Sequence, residues 1–166
     1  MAIEPGFESF YAVSHDRLVG QLFALLGDLH EAEDVVQEAF ARASFRWSSI
    51  CRYDAPEAWV RRVALNLATS NLRRARRQLR SLVRMGPPPD APAVTADRVD
   101  VHRAMGRLGI RHREVLVLHY VAGLPVDEVG RELRLPTGTV KSRLARARTA
   151  LARELGIAHQ EAGNAR

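Results

Sequence analysis

Apolar residues in this chain recur every three or four positions, and nowhere do they alternate one by one. Phe7, Phe10, Tyr11 and Leu18, then Leu22, Leu25 and Leu26, lie at helical spacing. A second helix is predicted from near Asp28–His30, with Val35, Val36, Ala39, Phe40 and Ala43 as its apolar stripe. A break is expected at Ser48-Ser49. Pro56 suits the first position of the next helix, where the missing N–H costs nothing. Over residues 57–80 that helix carries Trp59, Val60, Val63, Ala64, Leu67, Ala68 and Leu72 on its inward side.

The helical pattern stops at Gly86-Pro87-Pro88-Pro89-Asp90-Ala91-Pro92, which holds four of the eight prolines. Proline lacks the backbone donor and clashes with the preceding turn, so this run is not helix interior. Each flank has its own amphipathic pattern, which predicts an extended linker over residues 81–103 between two small domains, 1–80 and 104–155, with a tail at 156–166. Beyond the linker, Glu114–Val121 is predicted to be helical and to stop at Gly123. Pro125 can open another helix with Val126, Val129 and Leu133 inward. Leu135-Pro136-Thr137-Gly138 makes a turn, with Thr137 expected as the N-cap of the last helix. There Val140, Leu144, Ala147 and Leu151 share one face, and Thr139, Ser142, Arg143, Arg146, Thr149 and Arg153 the other. The predicted fold class is all-α: two small helical domains, the second a helix-turn-helix, joined by a Pro-rich linker.

Charge changes this picture in three places. The chain of 166 residues is net +6. Counted by block, residues 1–80 carry net +1, 81–103 net zero and 104–166 net +5, so the C-terminal block is the more basic. A short helix, a tight turn and a second helix faced with hydroxyls and guanidiniums is the arrangement that major-groove recognition requires. Within the first block, no basic residue falls between Arg17 and Arg42, yet Asp28, Glu31, Glu33, Asp34 and Glu38 all do. An acidic helix in a basic protein suits docking on a basic partner. The helix 57–80 instead holds Arg61, Arg62, Arg73, Arg74, Arg76, Arg77 and Arg80. That exceeds what a helix dipole accommodates and points to phosphate contact. Trp47 and Trp59 are expected to pack in the core rather than to stack on bases.

Other chemistry is sparse. A single cysteine, Cys51, cannot form an internal disulfide, which suggests a reducing compartment and a cytoplasmic location. The six histidines lack ligand spacing, so no metal and no cofactor is expected. No nucleophile–base arrangement is recognisable, so the chain is not expected to be an enzyme. The N-terminus lacks the basic and apolar segments of a signal peptide, and no stretch of about 18 apolar residues spans a membrane. Lys141 is the sole lysine among 25 basic residues, a bias expected of a G+C-rich genome.

Three segments together resemble a known family. EAEDVVQEAFARA (31–43) resembles the polymerase-binding helix of sigma region 2. AWVRRVALNLATSNLRRARR (58–77) is similar to the part of that region that melts and reads a −10 element. GLPVDEVGRELRLPTGTVKSRLARARTAL (123–151) is similar to the region 4 helix-turn-helix that reads a −35 element. In this order, across a short linker, they resemble the extracytoplasmic-function (ECF) sigma factors of the sigma-70 superfamily, with the actinobacterial SigE-like group fitting best.

The resemblance implies a specificity subunit that directs RNA polymerase core to promoter DNA. It implies that Asp34, Gln37 and Glu38 dock on the β′ coiled coil of the core. It also implies that the loop 48–56 captures a flipped base, with Arg61, Arg62, Asn66, Arg73 and Arg74 along the −10 DNA. Thr139, Lys141, Ser142, Arg143 and Arg146 would contact the −35 DNA, region 4 would meet the β flap, and the linker would thread toward the RNA exit path. Ala145 stands where many relatives carry a larger side chain, so their −35 sequence does not transfer. The length leaves no room for an appended sensory domain, and the family implies regulation by an anti-sigma partner. The alternatives are a LuxR-like helix-turn-helix regulator, which would need a receiver or ligand-binding domain, a nucleic-acid enzyme, and an anti-sigma or other interaction protein.

Overall fold

In a computed structural model of the chain, residues 6–82 and 96–156 are described. The chain divides between Pro92 and Ala93 into two compact units. All regular structure among the described residues is helical, in agreement with the expected fold class.

The first unit holds α1 (Phe7–Leu26), α2 (Leu29–Ser44), α3 (Trp47–Ile50) and α4 (Pro56–Leu82). Gly27, at φ 81°, ends α1 with its N–H on the Phe23 carbonyl at 2.8 Å. Asp28 then caps α2 by accepting the Glu31 N–H at 2.9 Å. The link between the two helices is therefore two residues long, and the helices pack against each other. α2 also packs on α4, so its whole apolar stripe is buried: Ala32, Val35, Val36, Ala39, Phe40 and Ala43. Phe40 meets Tyr11 edge-on with ring centres 4.8 Å apart, and Trp47 stacks on Phe10 at 4.9 Å. Trp47 is a core residue, as expected.

The expected break at Ser48-Ser49 is instead the middle of α3. Trp47 and Ile50 are both buried, and at i,i+3 only a helical turn puts both against the core. The irregular segment is 51–55, where all five residues are exposed. On α4, Val60, Ala64 and Ala68 are buried as expected, while Val63, Leu67 and Leu72 are half-buried and Leu65 joins the core.

The second unit holds α5 (Ala96–Arg107), α6 (Ile110–Leu116), α7 (Val126–Leu133) and α8 (Thr137–Glu154). The expected linker of 81–103 is too long at both ends. α4 reaches Leu82, and α5 begins at Ala96, with Ala104 and Met105 buried near its C-terminal end and Leu108 buried just beyond it. The proline run and most of the tail, 157–166, lie outside the described residues. Arg113 is buried and donates to the carbonyls of Leu108 (3.1 Å) and Gly106 (3.2 Å), which fixes the corner between α5 and α6. α6 starts earlier than the predicted Glu114 and continues into a single π turn, Val117–Val121. There Ala122 N–H reaches the Val117 carbonyl at 2.8 Å, and Gly123 (φ 71°) ends the element.

α8 lies along α5, α6 and α7, with Val140, Leu144 and Ala147 buried against them. Thr137 is not the N-cap of α8. Pro136 takes that position, at φ −57° and ψ 142°, with no side-chain capping bond, and Thr137 is already in the first turn. Pro125 likewise precedes α7 rather than opening it. The turn between α7 and α8 is closed by Leu135 N–H on the Gly130 carbonyl at 2.8 Å. A Cβ at Gly130 would stand 2.8 Å from the Leu135 carbonyl oxygen, which is backbone and cannot swing away. Gly130→Ala is therefore expected to destabilise the second unit by about 1–3 kcal/mol, read as a lower denaturation midpoint by circular dichroism. An unchanged midpoint would mean that the turn is not set by this close approach.

Candidate nucleic-acid interface

Burying one face of α2 forces the other outward. Glu33, Asp34, Gln37 and Glu38 are all exposed there. Asp34, Gln37 and Glu38 are spaced i, i+3, i+4 and so form one contiguous patch. Its C-terminal edge is balanced by Arg42, whose Nε donates to Glu38 Oε1 at 2.8 Å. Glu31 stands at the opposite end of the helix, and burial first and Asp28 second raise its carboxyl pKa above the ordinary range.

The second surface runs along α4. At 100° per residue, Arg62, Asn66, Arg73 and Arg77 share a stripe about 22 Å long, with Arg74 on its flank. Asn66, Arg73, Arg74 and Arg77 are exposed and Arg62 is half-buried. Arg61 is not part of the stripe. It is only 6% exposed, and its Nη1 donates to Glu57 Oε1 at 3.3 Å. Glu57 also receives Arg17 of α1, whose Nε donates at 3.1 Å and whose Nη2 bonds the other carboxylate oxygen. The three charges join α1 to the first turns of α4, beside the exposed segment 51–55. Helical period already sets Arg61 beside the inward Ala68 and Arg62 on the opposite side, and the acidic residue four positions before Arg61, Glu57, marks its partner.

Exposed aromatic rings stand within that segment and ahead of α3: Tyr53 is 49% and Phe45 73% exposed, beside the exposed Arg52 and Arg46. Rings and guanidiniums in alternation suit unpaired bases, whose faces stack on the rings while the phosphates meet the arginines. Neither Phe45 nor Tyr53 falls on an apolar stripe, so the sequence pattern passed over them.

The third surface is the outer face of α8. Lys141, Ser142 and Arg146 are exposed, and Thr139 and Arg143 are half-buried. Ser142 donates its hydroxyl proton to the Thr139 carbonyl at 3.0 Å, which leaves its oxygen lone pairs to accept a bond. Arg148, absent from the expected set, is also exposed and donates to the Tyr120 hydroxyl at 3.2 Å. Among the described residues no group of three or more His, Cys, Asp and Glu could hold a metal ion, and no helix is long and apolar enough to cross a membrane.

Two family models match the chain: Sigma-70 region 2 over residues 10–78, and Sigma-70, region 4 over residues 98–151. The ECF RNA polymerase sigma factor SigM of Mycobacterium tuberculosis is 35% identical over 145 residues, covering 86% of this chain and 74% of that protein. The chain belongs to the ECF family of RNA polymerase sigma factors. As an ECF sigma factor it directs promoter-specific transcription initiation. The family's SigW of Bacillus subtilis is 28% identical over 168 residues, covering 92% of this chain and 90% of that protein. The fold of this sigma factor matches that of RpoE from Bartonella quintana, solved in complex with the anti-sigma factor NepR. The TM-score is 0.76 at 22% identity, covering 91% and 97% of the two chains. These matches give no support to a LuxR-like regulator.

One consequence of the Glu31 environment is measurable in this ECF sigma factor. A raised folded-state pKa favours folding below the ordinary glutamate value, about 4.3, and that contribution is lost as pH rises through the shifted value. The Tm of Glu31→Gln relative to the parent is expected to climb as pH rises from 4 to 7. A constant difference would show that burial does not perturb this carboxyl.

Proposed function

We propose a division of labour in which the first unit holds RNA polymerase core and opened −10 DNA while the second reads the −35 element. The observation that carries it is the exposed acidic patch of α2, Asp34, Gln37 and Glu38, in the same unit as the arginine stripe of α4. An anionic patch on a rigid, half-buried helix suits the basic β′ coiled coil, with charge setting orientation and association rate. Asn66, Arg62, Arg73 and Arg74 follow the opened strand, and the exposed segment 51–55 takes an extruded base. Arg61 serves as a positioning residue, because its guanidinium is spent on Glu57 inside the unit. In the second unit, Lys141, Ser142, Arg143, Arg146 and Thr139 face the major groove of the −35 element, and region 4 meets the β flap.

The protein acts by binding and needs no cofactor, and its place is with the polymerase in the cytoplasm. An anti-sigma factor is its regulator, a reading supported by the NepR complex of a protein of the same fold. The near-exclusive use of arginine and the likeness to the mycobacterial SigM support a place in the SigE-like actinobacterial group.

Variants in the two units separate these tasks. Asp34→Ala with Glu38→Arg is expected to abolish co-elution with sigma-free core and all transcripts from genomic DNA, with the helical circular dichroism spectrum unchanged. Arg146→Ala is expected to keep core binding and to lose preference at one or two −35 base pairs, each by about 1–3 kcal/mol. Core binding that survives the α2 variant would remove the acidic patch from the docking surface.

A further inference from the structure

We propose that Tyr120 and Arg148 together form a phosphate anchor on one wall of the groove that α8 enters, outside the set of residues that read bases. The inference rests on the assignment of α8 as the −35 recognition helix. A helix is about 10–12 Å across with its side chains, and the major groove is about 12 Å wide. A helix seated there turns its front to the bases and its two flanks to the sugar-phosphate walls. The front of α8 centres on Ser142 and Arg146, opposite the buried Val140, Leu144 and Ala147. At 100° per residue Arg148 lies about 160° from Arg146 and within about 20° of Lys141. Arg148 therefore faces away from the base edges that Arg146 meets, behind the flank of the helix, and the length of its side chain carries the guanidinium to the adjoining wall. Lys141 stands two turns before it on the same edge, with the exposed Ala145 between them offering no bulk.

Tyr120 fixes this side chain. Its hydroxyl accepts from Arg148 Nη1 at 3.2 Å, and its own proton remains to donate. Arg148 has no ion-pair partner among the described residues. Among the described residues its charge is thus held by a neutral group alone, with further N–H donors open. An anion such as a phosphate can take those open donors.

The backbone aims Tyr120 at α8. The π turn Val117–Val121 inserts a residue at the end of α6, and within it Tyr120 and Val121 are exposed while Val117 and Leu118 stay buried. His119 Nδ1 bonds the Leu124 carbonyl at 2.8 Å, and its ring meets that of Tyr120 edge-on at 4.7 Å. Single π turns of this kind often occur where a side chain must be redirected for function.

The test uses holoenzyme reconstituted from this chain and sigma-free core, on a promoter fragment that the chain itself selects from genomic DNA. Binding is measured across a potassium chloride series. Arg148→Gln is expected to weaken binding about ten-fold and to reduce the salt slope by about one. Tyr120→Phe is expected to weaken it about two- to ten-fold. The double variant should bind no worse than Arg148→Gln, because the hydroxyl acts through the guanidinium. Relative affinities for promoters with single −35 substitutions should stay those of the parent. A full salt slope in Arg148→Gln, losses that multiply in the double variant, or an altered base preference would overturn the anchor. Arg146→Ala is the control: if it loses −35 preference while the other variants bind like the parent, the anchor alone fails. If Arg146→Ala also leaves that preference intact, the recognition-helix assignment fails and the anchor with it.

Discussion

The first unit depends on the burial of one face of α2. Six of its residues, from Ala32 to Ala43, are packed away between α1 and α4, with Phe40 at the centre. A helix so enclosed has its rotation fixed, because turning it by even one residue would bring Glu33 or Gln37 into the core. Burying such groups without partners costs far more than the few kcal/mol by which small domains are stable. The acidic patch is therefore held in place by hydrophobic burial on the opposite side. The same packing seats α4, whose arginine stripe then faces solvent along about four turns.

The second unit applies the same rule to α8. Val140, Leu144 and Ala147 anchor its back, and the tight turn at Gly130 sets the angle at which it leaves α7. Polar residues with weak helix preference, such as Thr139 and Ser142, are tolerated on the outside because the helix is stabilised by its back. Ser142 and Thr149 both bond backbone carbonyls of their own helix, at 3.0 and 3.1 Å, which orders side chains that would otherwise rotate freely.

The helices and their inward faces were legible in the sequence because burial and helical period impose one repeating signal. Val35, Val36, Ala39, Phe40 and Ala43 show this without exception. What was not legible depended on single contacts. Helical period separates Arg61 from Arg62, but the bond that draws Arg61 inward to Glu57 is set in three dimensions. Ser48 and Ser49 look like a break, but Trp47 and Ile50 impose a helical turn on them. The proline run marked the joint between the units but not its ends, since α4 runs to Leu82 before it and α5 begins at Ala96 after it. The π turn leaves no trace in the hydrophobic pattern, so Tyr120 and its bond to Arg148 appear only in three dimensions. The family itself was legible, because it rests on the order of three whole segments.

The central claim is that two separate helical surfaces select one start site through one polymerase. Run-off transcription tests it most directly, with the purified chain and sigma-free core on sheared DNA from the source genome and transcript 5′ ends sequenced. New start sites that share two motifs at a fixed spacing are the predicted result. Specific binding to duplex DNA with no initiation and no association with core would contradict it.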